Sequence, residues 1–231
     1  MKLLASGCSF IYGSELGDVQ PGIGNYSHLT FPALLAQYLN LDYVCAARPG
    51  YGNDSIVRSV IENLDDNVGL VVANWSYLNR YEYYHPAVRW QNLGAVTNPG
   101  HHCYRDLGDL SKLFFTNLTP EYSWYKYLSD IVFLQELLKN QKIPYIFTTA
   151  ESSFYNKEEI VNLGTVHANL YNMIDFKSWH NWEWGDNPVG FTAWAGGHYY
   201  PVGDDGHPLE AAHQATFELL KEKANKLLCS Q

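Results

Sequence analysis

Lys2-Leu3-Leu4-Ala5-Ser6-Gly7-Cys8-Ser9 stands at the head of the chain, and the organisation of the remainder follows from it. The apolar run from Lys2 to Ser6 reads as a buried β-strand, and Gly7-Cys8-Ser9 as the turn that leaves it for a helix. Similar runs return at Leu41 to Ala46, Gly69 to Ala73 and Pro144 to Thr149. Between them lie helix-patterned segments: Phe31 to Leu39 behind Thr30 as a cap, Ser55 to Leu64, Ser123 to Asn140, and Pro208 to Leu228. Strands alternating with helices predict βαβ units, and hence a mainly parallel sheet covered on both faces. The expected fold class is a three-layer α/β/α architecture with a mainly parallel sheet, in one domain over residues 1–231.

Composition narrows the function classes. The chain has 231 residues, 46% of them hydrophobic and 17% charged, which suits a folded domain with a sizeable core. A net charge of -9 with no basic run argues against a nucleic-acid partner. Cys8, Cys45, Cys103 and Cys229 show no paired spacing and read as reduced thiols. The few apolar residues before Gly7 do not make a signal-peptide core, and no run reaches the length of a membrane span. A cytoplasmic location without membrane attachment is therefore expected.

A serine at the tip of a strand can direct its hydroxyl and amide into a cleft. Asp204-Asp205-Gly206-His207 lies close before the last helix, and Asp204 can reach His207 Nδ1 on one tight loop while Nε2 stays free for a serine. A neutral imidazole takes the hydroxyl proton and a carboxylate fixes its tautomer. This order, serine first and Asp with His last, points to hydrolysis. The catalytic set expected is Ser9, Asp204 and His207. The Gly-x-Ser-x-Gly elbow is absent, since Ile11 stands where its second glycine belongs. After the second strand comes Ala46-Ala47-Arg48-Pro49-Gly50-Tyr51-Gly52-Asn53-Asp54. Here Gly50 can offer an amide to an oxyanion, while Asn53 and Asp54 read equally well as helix caps.

Together, Gly7-Cys8-Ser9, the Gly50 block and Asp204-x-x-His207 resemble the SGNH (GDSL-type) hydrolases. The Gly-Cys-Ser-Phe and Pro-Gly-x-x-Asn-Asp variants look most like bacterial and bacteriophage-encoded members. The resemblance implies that Ser9 is nucleophile and first oxyanion donor, Gly50 second donor, His207 base and Asp204 its orienter. Such enzymes hydrolyse esters, often acetyl groups on carbohydrate. Two positions depart from the pattern. Cys8 replaces the usual Asp, and Val72-Ala73-Asn74-Trp75-Ser76 stands where a Gly-x-Asn-Asp block belongs, so Asn74 or Ser76 is the expected third oxyanion donor, with Asn79 behind them.

Residues 74–112 and 176–200 interrupt the alternation, and six of the seven tryptophans fall in them. Long structured loops in compact domains are usually functional. Stacked aromatic faces suit a small-molecule or carbohydrate ester, and Trp75, Tyr77 and Trp194 are the expected contacts. Arg80 and Glu82 are expected to pair and pin the first loop. His101-His102-Cys103 offers a competing metal reading, but adjacent histidines on an extended chain point apart, and neither metal nor cofactor is expected. The alternative to an esterase is a catalytically inactive carbohydrate-binding or virion-associated protein on the same fold.

Overall fold

The computed structural model describes residues 1–19, 24–86, 89–94 and 105–229. Its strands are β1 (Lys2–Ser6), β2 (Asp42–Cys45), β3 (Val68–Trp75), β4 (Arg80–His85), β5 (Arg89–Gly94), β6 (Tyr145–Thr149), β7 (Trp182–Trp184) and β8 (Asn187–Val189). The helices are α1 (Ser9–Tyr12), α2 (Phe31–Tyr38), α3 (Asn53–Asn63), α4 (Arg105–Asn117), α5 (Pro120–Asn140), α6 (Lys157–Asn162), α7 (Thr165–Asn172), α8 (Phe191–Gly197) and α9 (Glu210–Cys229). His101, His102 and Cys103 lie outside the described residues.

The central sheet has strand order β2-β1-β3-β6, and every pair in it is parallel. All eight residues of β3 are buried, because helices cover both faces of an inner parallel strand. Successive side chains of a strand point to opposite faces, and two cores result. Leu4, Val71, Ala73 and Trp75 pack with α3 and α5, while Leu3, Ala5, Leu70 and Val72 pack with α2 and α9. This is the expected three-layer α/β/α arrangement. On the outer side of β6, Phe147 bridges to Trp179 and its carbonyl accepts from His180 N at 2.8 Å, so that edge is partly covered.

The helix ends need small corrections. Thr30 makes no capping bond to α2; its hydroxyl lies 3.3 Å from the Tyr43 hydroxyl. Thr119 does cap α5, accepting from Tyr122 N, with Pro120 in the first turn. The last helix starts at Glu210, because Pro208 is held in an antiparallel bridge with Val202. Residues 74–112 contain the end of β3, the β4–β5 hairpin and the first part of α4, and residues 176–200 contain the β7–β8 hairpin and α8. No described helix is long and apolar enough to cross a membrane.

Candidate active site

Ser9 is the first residue of α1, directly after Cys8 at the N-cap. Two glycines allow this turn. A Cβ on Gly7 would come within 2.5 Å of Ile11 Cγ1 and 3.2 Å of the Asn74 carbonyl, and Gly13 sits at φ +80° against Ser27. Phe10, the next residue, packs edge-on against the His207 ring, with centroids 5.6 Å apart. The two ends of the chain therefore meet at one place above the carboxyl end of β1. No Ser9 Oγ–His207 hydrogen bond is formed, and in unliganded enzymes such contacts are often long and tighten with substrate.

The carboxylate on His207 is that of Glu15. Its Oε2 lies 2.6 Å from His207 Nδ1 and accepts from His207 N at 3.4 Å, while Oε1 accepts from Asp205 N at 3.0 Å. These contacts, led by the Asp205 backbone N–H and the His207 ring, hold the Glu15 carboxyl below its ordinary range. Glu15 occupies the left-handed region at φ 68°, an uncommon conformation for a residue with a Cβ. Gly203 makes room for the carboxylate, because a Cβ there would stand 2.4 Å from Glu15 Cδ.

Asp204 does not fill the expected orienting position. The loop is a tight turn in which Gly206 N donates to Gly203 O and Gly206 adopts φ +80°. That turn aims the amides of Asp205 and His207 at Glu15 and leaves Asp204 exposed. Nδ1 carries one proton, and Glu15 accepts it. Sequence reasoning passed over Glu15; the available signal was an acidic residue six positions after the candidate nucleophile, on the same Gly-flanked turn.

Gly50 lies at φ +81° in an exposed turn closed by Tyr51 N donating to Arg48 O at 3.2 Å. Asn74 and Ser76 are both fully buried. Asn74 donates its amide to Thr148 Oγ1 at 2.8 Å, across to β6. The Ser76 amide donates to Asn53 Oδ1 at 2.8 Å, and its hydroxyl accepts from Arg80 Nη1 at 3.1 Å. Asn79 is exposed in the turn before β4. Asn53 is not a cap, since Gly52 is the N-cap of α3; its side chain instead clamps the chain leaving β3 through Ser76 N and the Tyr77 carbonyl.

Two of the three aromatic residues assigned to substrate are core residues. Trp75 is fully buried and meets Phe147 edge-on at 5.3 Å, because its position on β3 faces the α3/α5 layer. Trp194 is buried on α8 among Phe191, Trp182 and Tyr200. Tyr77 remains beside the site: its ring meets Phe10 edge-on at 6.4 Å and its hydroxyl lies 3.0 Å from Thr192 Oγ1. Arg80 does not pair with Glu82. It lies over the Tyr77 ring at 5.0 Å, while Glu82 is taken by Arg58.

Glu15, Asp205 and His207 present ligating atoms within 4.8 Å of one another, the one such set among the described residues. The two Glu15 oxygens already accept three N–H donors, so a cation there would have to displace the contacts that hold the loop.

Solved structures with this fold include a carbohydrate esterase described as having an active site with divergent catalytic and non-catalytic binding functions. It is 16% identical, with a TM-score of 0.50, and the match covers 97% of this chain and 64% of that one. A second is a carbohydrate esterase family 2 enzyme with a carbohydrate-binding domain from Corynascus thermopiles (Myceliophthora fergusii). It is 16% identical, with a TM-score of 0.52, covering 98% of this chain and 66% of that one. The chain thus spans just under two thirds of the length of either. The fold is the SGNH hydrolase fold. No curated protein matches by sequence. A family model described as "Family of unknown function (DUF6071)" matches residues 15–223.

Proposed function

The chain belongs to DUF6071, a family of unknown function, and we propose that it is a serine esterase that removes acyl groups from carbohydrate. The observation that carries this reading is the Glu15–His207 contact at 2.6 Å, with the His207 ring packed against Phe10, the residue that follows Ser9. With Nδ1 protonated and held by Glu15, Nε2 is the basic nitrogen. It takes the Ser9 hydroxyl proton as Oγ bonds to the ester carbonyl carbon. The carbonyl oxygen gains the negative charge and is met by backbone N–H groups of Ser9, at the start of α1, and Gly50. The alcohol leaves with the proton from His207. Water then repeats the sequence on the acyl-enzyme, releasing the acid and restoring Ser9. Glu15 stays ionised throughout and stabilises the imidazolium.

An O-acetylated sugar is the preferred substrate, which rests on the esterase neighbours and on Tyr77 beside the site. A second reading, a sugar-binding protein without turnover, draws on the burial of Asn74 and Ser76, which leaves the third oxyanion place without either residue. Hydrolysis of 4-nitrophenyl acetate separates the two. Turnover lost in Ser9→Ala and His207→Ala, with a fluorophosphonate adduct mapped to Ser9, supports the esterase. Sugar binding with no turnover and no adduct refutes it.

A further inference from the structure

We propose that the cavity between the turn that carries Gly50, the candidate oxyanion donor, and the β4–β5 hairpin is a subsite for a carboxylate-bearing sugar, a uronate. The inference rests on the esterase reading only for the step that follows binding. The cavity has a volume of about 470 Å³, and Arg48, Arg58 and Arg89 all line it, together with Glu62 and Glu82, whose carboxylates are both paired with Arg58. The chain has five arginines, at 48, 58, 80, 89 and 105, so three of them converge on one hollow of a protein whose net charge is -9. Composition alone would not gather them there.

The three differ in what they do. Arg58 is committed: Nε and Nη2 form a fork on the buried carboxylate of Glu82 at 2.7 and 2.5 Å, and Nη1 reaches Glu62 at 2.7 Å. This anchors the wall, because Glu82 belongs to β4 and Arg58 to α3. Arg48 and Arg89 are exposed, and no carboxylate among the described residues pairs with either. Two guanidinium groups with free donors at the rim of a hollow suit a planar carboxylate, which they can grip through two N–H groups each.

A sugar ring has the rest of the site. Trp90 and Tyr51 flank the Arg58 guanidinium, at 5.0 and 5.8 Å from its Cζ, and Trp90 keeps 45% of its surface exposed. Aromatic rings of this kind cover the C–H faces of a pyranose, and the Asn92 amide on the same wall offers hydrogen bonds to hydroxyls. Asn92 also fixes the hairpin to α3 by accepting from Ser55 Oγ at 3.3 Å. Gly50, the candidate oxyanion donor, joins Pro49 to Tyr51, both of which line the cavity, and a Cβ on it would lie 3.4 Å from Asn92 Nδ2.

The test uses the full chain and two measurements. Trigalacturonate, neutral xylotriose and inorganic phosphate are titrated calorimetrically into the wild type and into Arg48→Gln/Arg89→Gln. Trigalacturonate should bind at least tenfold more tightly than the other two, lose at least tenfold in the double variant, and weaken as NaCl is raised. Equal binding by the variant, or binding of phosphate as strong as that of the uronate, overturns the proposal. Both arginines are exposed, so an unchanged melting temperature accompanies the substitutions. Kinetically, KM for O-acetylated polygalacturonate should rise at least tenfold in the variant while kcat/KM for 4-nitrophenyl acetate stays within twofold. A wild type that hydrolyses neither ester removes the esterase reading, and the binding titration still decides the subsite.

Discussion

Replacing Glu15 with glutamine tests the site most directly, because it keeps the side chain's shape and removes one acceptor. The carboxylate takes three N–H groups: Asp205 N on Oε1, and His207 N and Nδ1 on Oε2. A glutamine offers one oxygen and an NH2 group. If its oxygen keeps the two His207 contacts, the NH2 faces the Asp205 amide, donor against donor. If the oxygen turns to Asp205, Nδ1 must accept from the NH2, which moves the imidazole proton to Nε2 and abolishes the base. In either state the imidazolium loses its counter-charge. Loss of the orienting carboxylate in a comparable triad costs about 10⁴ in kcat, close to 5.5 kcal/mol of barrier at ~1.4 kcal/mol per decade. Glu15 is partly exposed, so the expected loss for Glu15→Gln is about 10²–10⁴. Asp204→Asn, on an exposed side chain, should stay within about twofold. The assay is kcat for 4-nitrophenyl acetate across pH, with the rate of Ser9 labelling by a fluorophosphonate as a second readout, and melting temperatures to control for loop damage. Full activity in Glu15→Gln with a large loss in Asp204→Asn would refute the assignment.

Other consequences of the geometry can be checked independently. Gly203→Ala puts a methyl group 2.4 Å from Glu15 Cδ and should depress kcat in the manner of Glu15→Gln with little change in secondary structure by circular dichroism; an unimpaired kcat counts against the loop assignment. Arg58→Met strands Glu82, whose side chain is 3% exposed, and should cost about 3–5 kcal/mol in urea denaturation. A cost below 1 kcal/mol means the pair does not hold the hairpin. Burial pushes His213 down to about 3 and His180 down to about 4, from an ordinary 6.5, so both are neutral in the native protein. Below about 6.5 the unfolded chain takes up protons that the native one does not, so stability falls as pH drops from there toward about 3. At pH 5 the loss is about 2 kcal/mol for each histidine. Urea midpoints at pH 7 and pH 5 measure it, and His213→Gln should remove part of the difference.

The four strands of the main sheet were legible to within a few residues, because a buried strand is a continuous apolar run and nothing distant is needed to recognise it. Val68–Trp75 is longer than its apolar centre suggests, since Asn74 is buried by pairing with Thr148 across β6. The hairpins inside the aromatic segments were not legible. Their residues alternate poorly, and β4 is held by Arg58 and Asp54 from α3 rather than by its own pattern. The aromatic residues misled for a related reason. Tryptophan is equally at home in a core or on a sugar, and only the parity of position 75 along β3 assigns it to the core.

What the sequence by itself determined is the chemistry available and its order along the chain: a serine leaving the first strand, a glycine turn after the second, and a histidine before the last helix. Local pattern suffices for these, because strand period, turn residues and spacing are properties of neighbouring positions. Which carboxylate contacts the histidine is visible only in three dimensions. Asp204 is three residues from His207 but on the outer side of its turn, whereas Glu15 is 192 positions away and points into it. Closeness along a chain does not fix the direction in which a side chain leaves a turn; backbone geometry and the glycine at 203 do.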